Sequence, residues 1–121
     1  MSIGEFGAWA ENQAKVFLKK SGMKILARNY RTSLGELDIV ARDRDMIVFV
    51  EVKAVRDTAG EPELKINREK RRRMILAAKS FIGRLSLNDQ PARFDIVTVK
   101  CDSSGQPLVD HEPDAFGAGD K

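Results

Sequence analysis

Cysteine and histidine are almost missing from this 121-residue sequence: there is one of each, Cys101 and His111. A single cysteine excludes an intramolecular disulfide and any thiolate-based zinc cluster. A single histidine leaves little room for imidazole-based catalysis. No apolar run approaches the roughly 18 residues of a membrane-spanning helix, so no membrane partner is expected. The first residues, MSIGEFGAWAENQ, have neither a basic segment nor an apolar core. No signal peptide is therefore expected, and the expected compartment is the cytoplasm. An excess of one charge sign is also missing, since 21 Lys and Arg face 18 Asp and Glu for a net charge of +3. That balance permits a phosphate-bearing partner without requiring one. Any catalysis must rest on carboxylates, Lys, Arg, Ser or Thr.

What is present fits an ordinary globule, with 42% hydrophobic and 32% charged residues. The length predicts one domain, placed at residues 1–110, with 111–121 as a partly ordered tail. Phe6, Ala10, Ala14, Phe17 and Leu18 recur at helical spacing and predict a helix over 5–20, stopped at Ser21-Gly22. Strands are predicted over 23–31 and 36–42, joined by the turn Thr32-Ser33-Leu34-Gly35. The segment MIVFVEVK, 46–53, is β-branched, aromatic and nearly all apolar, as for a central strand covered on both faces. A second helix is predicted over 67–85, capped by Asn67, with Met74, Ala77, Ala78, Phe81 and Leu85 as its apolar stripe. A fourth strand is expected over 93–100 and a short fifth over 106–110. The order is that of an α/β protein with helices packed on a mixed sheet. Cys101 reads as passive, His111 as a surface residue, and Arg93 and Asp95 as structural or peripheral.

Glu36, Asp38, Glu51 and Lys53 carry the chemistry. Strand alternation puts Glu36 with Asp38, and Glu51 with Lys53, on shared faces. A two-residue loop at Arg44-Asp45 would set Asp38 opposite Glu51 and Glu36 opposite Lys53. Like charges facing each other on paired strands destabilise them, and carboxylates at the end of an apolar strand lose hydration. A divalent cation offsets both costs, and magnesium takes such oxygen ligands. A lysine beside them places positive charge near a developing phosphodiester transition state. The plainer alternative is a solvated ion pair at a strand end.

The segment GELDIVARDRDMIVFVEVK, 35–53, resembles motifs II and III of the PD-(D/E)XK nuclease superfamily, which has the restriction-endonuclease-like fold. With GAWAENQAKVFL (7–18), ILARNYR (25–31), KRRRMILAAKSFI (70–82) and RFDIVTV (93–99), nearly the whole chain is similar to the small bacterial YraN-like family of that superfamily. The resemblance implies an αβββαβ core. It implies a Mg²⁺ or Mn²⁺ site made by Asp38 and Glu51, with the Val52 carbonyl as a further ligand and Lys53 near the attacking water. It also implies that Glu11 joins the metal site, as in the resolvase-like branch. The alternative for Glu11 is an i,i+4 pair with Lys15 on a solvated face.

Five basic residues fall between Asn67 and Arg73. Lys70 lies four residues before Met74, in line with the apolar stripe, and either points at the site or snorkels to water. Arg71, Arg72 and Arg73 fan around the helix, with Glu69 able to pair with Arg73. Together with Arg56 and Lys70 they are the candidate nucleic-acid contacts. The reading is a Mg²⁺- or Mn²⁺-dependent endonuclease acting on nucleic acid, DNA more than RNA, including branched or damaged DNA. It leaves a homodimer open. The competing readings are a non-catalytic nucleic-acid-binding protein that keeps the fold, and a phosphoesterase of small substrates.

Overall fold

The computed structural model describes residues 1–56 and 66–118. Helix α1, Ile3–Lys20, starts one turn's fraction earlier than the apolar spacing predicts, because Ser2 and Glu5 form a reciprocal capping box. Lys19 and Lys20 in its last turn complement the helix dipole. Phe6, Ala10, Ala14 and Leu18 form its buried stripe. The small alanines let the helix lie close against the sheet.

Strands β1, Lys24–Arg31, β2, Glu36–Asp43, and β3, Met46–Val55, follow as an antiparallel meander. Arg44, at φ +61°, makes the two-residue turn that sets Asp43 opposite Met46. Helix α2, Arg68–Arg84, is capped by the Asn67 side chain, which accepts from the Lys70 N–H at 2.8 Å. It returns the chain to β4, Ala92–Cys101, which runs parallel to β3, and β5, Pro107–Phe116, closes the order β1-β2-β3-β4-β5. The fold is thus α/β, with helix, three strands, helix and two strands around one mixed sheet, and β3 at its centre.

Each face of the sheet has its own core. Ala10, Ala14 and Leu18 of α1 pack with Ile39, Val48, Val50, Val97 and Val99. Met74, Ala78 and Phe81 of α2 pack with Val40, Ile47, Phe49, Phe94 and Phe116. Leu85, expected in the α2 stripe, instead caps the helix and is exposed. Gly35 explains how tightly α2 lies on the β1–β2 turn. A Cβ there would stand 2.1 Å from the Arg73 carbonyl oxygen, so only glycine admits this approach.

The expected tail is largely strand. β5 extends through Phe116, whose ring stacks on Phe94 at 4.8 Å between centroids. The ordered domain therefore passes residue 110. Its edge position leaves half of β5 exposed, and Asp110, His111, Glu112 and Asp114 interrupt the apolar alternation by which strands are recognised. A register shift between Phe94 and Ile96, with Asp114 at φ +51°, bends its far end.

Candidate active site

The β2–β3 ladder runs from Asp43↔Met46 to Ile39↔Val50, and there it stops. The same register carried one step further would pair Asp38 with Glu51. Instead, Asp38 uses a carboxylate oxygen to accept the Val52 N–H at 2.8 Å. Leu37 and Val40, three residues apart, both pack in the α2 core, so the face alternation of β2 slips once, at Asp38. Across β1 from this slip sits Asn29, at φ +52°, between Arg28↔Ile39 and Tyr30↔Leu37. The strands thus part where the acidic residues sit, and a carboxylate replaces a ladder bond. The expected Glu36–Lys53 opposition falls beyond the parting. Glu36 is opposite Arg31 on β1 and pairs with it at 3.6 Å.

Glu51 follows Ile47 and Phe49 on the α2 face of β3, where its side chain is 10% exposed. Burial pushes its carboxyl up, the hydrogen bond and charge of Asp38 push it further, and Lys70 pulls the other way. The balance places it at about 8. Lys70 reaches in from the first turn of α2 and sets its Nζ 3.2 Å from Glu51 Oε2. Of its two expected positions, the one toward the site is the one it takes. Lys53 lies two residues beyond Glu51, on the same side of β3 by alternation, in register with Thr98.

Two touching carboxylates, one buried and resisting ionisation, form a donor set suited to a hard cation. Magnesium completes its shell with waters and substrate oxygens and needs few protein ligands. Among the described residues no three Asp, Glu, His or Cys side chains converge as a metal cluster. Glu11 accordingly stands apart from Asp38 and Glu51. Its Oε1 accepts from Asn29 Nδ2 at 3.0 Å and Arg28 Nε at 3.3 Å. Its ion pair is with Arg28 rather than Lys15. The left-handed turn of Asn29 brings β1 polar groups to α1, an effect invisible in helical spacing.

The basic residues divide. Arg56 hydrogen-bonds the Met1 and Ser2 carbonyls and lies over the Phe6 ring, 5.0 Å from its centroid. Arg71 donates to the Ile66 carbonyl at 2.9 Å and serves the loop entering α2. Glu69 binds Arg72 rather than Arg73, at 2.9 and 3.2 Å. Arg68, Arg72 and Arg73 are exposed on α2.

A second polar cluster escaped sequence reasoning. Asp95 is fully buried on β4. It accepts from Arg93 Nε at 3.0 Å and from the Asp114 N–H at 2.9 Å, and lies 2.7 Å from His111 Nε2. Burial would raise its carboxyl, but these partners outweigh burial and hold it below the usual carboxylate range. His111 is therefore a half-buried partner, stacked edge-on against Phe17, and not a surface residue. The Arg93–x–Asp95 spacing on one strand face was the available signal. The β4–β5 pairing that brings in His111 was not.

The fold and this site define a small α/β protein in which a splayed strand pair presents two carboxylates, answered by an ammonium from the crossover helix. Residues 10–99 match Uncharacterised protein family UPF0102, and the chain belongs to that family. A UPF0102 protein of Syntrophotalea carbinolica is 40% identical over 111 residues, covering 91% of this chain and 89% of the relative. One from Geotalea uraniireducens is 40% identical over 116 residues, covering 95% and 89%. Among solved structures, SfsA of Pyrococcus furiosus in complex with Ca²⁺ aligns with 83% of this chain at a TM-score of 0.40 and 13% identity. The present chain spans 58% of that one. A likeness so distant carries no argument about chemistry. No helix among the described residues is long and apolar enough to cross a membrane.

Proposed function

We propose that this protein is a Mg²⁺- or Mn²⁺-dependent endonuclease that hydrolyses phosphodiesters of nucleic acid, with DNA as the main substrate. The observation that carries the reading is the half-buried Asp38 beside the buried Glu51 at the parted β2–β3 strands, with Lys70 against Glu51 and Lys53 two residues further along β3. A bound divalent cation would supply Lewis-acid charge to the scissile phosphate and to the attacking water. Asp38 and Glu51 would hold it, with the Val52 carbonyl as third protein donor. Asp38 is fixed for that task by the Val52 N–H, which leaves its other oxygen to the site. Lys53 places an ammonium where negative charge develops, and it does not ligate the cation. Arg68, Arg72 and Arg73 offer phosphate contacts on the same helix that carries Lys70. A polymer suits this spread of charge better than a small phosphoester.

The test is cleavage of a panel of duplex, single-stranded and branched DNA and RNA substrates. Cleavage with Mg²⁺ or Mn²⁺, and little with Ca²⁺, whose looser coordination orients water and phosphate less strictly, is the expected result. A second reading, a nucleic-acid-binding protein without hydrolysis, draws support from Glu11, which is engaged by Arg28 and Asn29. Inertness toward every substrate, with metal binding demonstrated, would favour it.

A further inference from the structure

Lys70 stands at the third position of α2, within the helix's positive end. A cation there opposes the helix dipole, and helix stability alone would favour a carboxylate. Its own N–H is already capped by Asn67, so the local backbone gains nothing from the ammonium. What the ammonium does reach is Glu51 Oε2, at 3.2 Å, beside Asp38. The lysine side chain is 33% exposed and Glu51 only 10%. The head is thus seated inward on a flexible four-carbon stem that opens to solvent. A compact ammonium in that seat answers the negative charge of the two adjoining carboxyl groups.

We propose that Lys70 is a built-in counter-cation of the Asp38–Glu51 pair that competes with a divalent cation for the same oxygens and is displaced outward when one binds. This rests on reading the pair as a cation site. Lys70 and the metal compete for the same oxygens, so the lysine weakens metal binding in the free protein. Once displaced, its ammonium lies at the mouth of the site and is available to an anionic substrate oxygen. Substrate that holds the displaced lysine removes the competitor. By linkage, metal and polyanion then strengthen each other's binding.

The experiment is a titration of the full chain with Mn²⁺ alone, read from the electron paramagnetic resonance of free Mn²⁺. It compares the wild type with Lys70→Met, Lys70→Arg and Glu51→Gln. Lys70→Met should tighten Mn²⁺ binding about tenfold, the equivalent of one charged hydrogen bond no longer displaced. Lys70→Arg, which keeps the charge, should stay near wild type, and Glu51→Gln should lose the site. A purely structural role for Lys70 would not tighten metal binding. If Lys70→Met binds Mn²⁺ as the wild type does, or more weakly, while Glu51→Gln still abolishes binding, the counter-cation proposal falls and the cation site stands. If neither the wild type nor either Lys70 variant binds Mn²⁺, both fall. Should Lys70→Met fail to fold, Lys70→Gln replaces it under the same criteria.

Discussion

Replacing Glu51 with Gln tests the electrostatics of the site without reference to catalysis. Burial and Asp38 raise the Glu51 carboxyl from 4.5 to about 8 in the folded protein. Between those values the native state holds one proton that the unfolded chain has released. Stability attributable to this group is therefore full below the unfolded value and falls as pH rises toward the folded one. The slope is about 1.4 kcal/mol per pH unit, and from pH 5 to 8 it accumulates to roughly 3 kcal/mol. That is a large part of the stability of a small domain, typically on the order of 5–15 kcal/mol. Gln keeps the shape and can donate its amide to Asp38, yet it cannot ionise. In urea titrations with a chelator present, the wild type should lose stability toward pH 8 relative to Glu51→Gln. Subtracting the two curves removes the titrating groups that do not contact Glu51. Millimolar Mg²⁺ should restore the wild type more at pH 8 than at pH 5 and should leave the variant unaffected. Parallel pH profiles for the two proteins would refute the reasoning.

Gly35→Ala places a methyl against the Arg73 carbonyl; urea denaturation should show a loss of about 2 kcal/mol, and an unchanged midpoint would show that the turn relaxes freely. Removing Arg72 and Arg73 should flatten the salt dependence of DNA binding by roughly one log–log unit per lost contact, whereas Arg71→Ala should lower stability and spare the slope. An unchanged slope in the first case would assign those residues to solvation. Asp95→Asn strips Arg93 and His111 of their shared partner and should cost about 3 kcal/mol at neutral pH. Because the Asp95 carboxyl is held below its usual range, that contribution disappears only as pH falls through its folded value. A loss under ~0.5 kcal/mol would place the cluster among ordinary surface contacts.

The acidic pair was legible because two local rules combine there. A two-residue turn fixes the β2–β3 register, and period-2 alternation carries it outward as far as Ile39 and Val50, next to Asp38 and Glu51. The same rules fail beyond Ile39, where the Asp38 side chain enters the ladder and Glu36 turns to Arg31. For Lys70, alignment with Met74, a helical periodicity, offered the inward position as one of two, and the contact with Glu51 decides between them. The contacts that sequence reasoning did not foresee, those of Glu11, Arg56, Arg71 and His111, all come from elements other than their own or from chain ends. Such partners follow from layer packing and strand order, which no local pattern encodes. β5 was underestimated for a related reason: an edge strand needs only one paired side, and Pro107, Pro113 and its acidic residues conceal it.

The central claim is that Asp38 and Glu51 hold a cation while Lys53 stabilises charge in phosphodiester hydrolysis. Its most direct test is a paired measurement on Lys53→Ala and Glu51→Ala: Mn²⁺ binding, and cleavage of whichever substrate of the panel the wild type cuts. The account predicts that Lys53→Ala retains Mn²⁺ and loses most turnover, on the order of a hundredfold or more, while Glu51→Ala loses both. Cleavage by Lys53→Ala at the wild-type rate, or undiminished Mn²⁺ binding by Glu51→Ala, would contradict it.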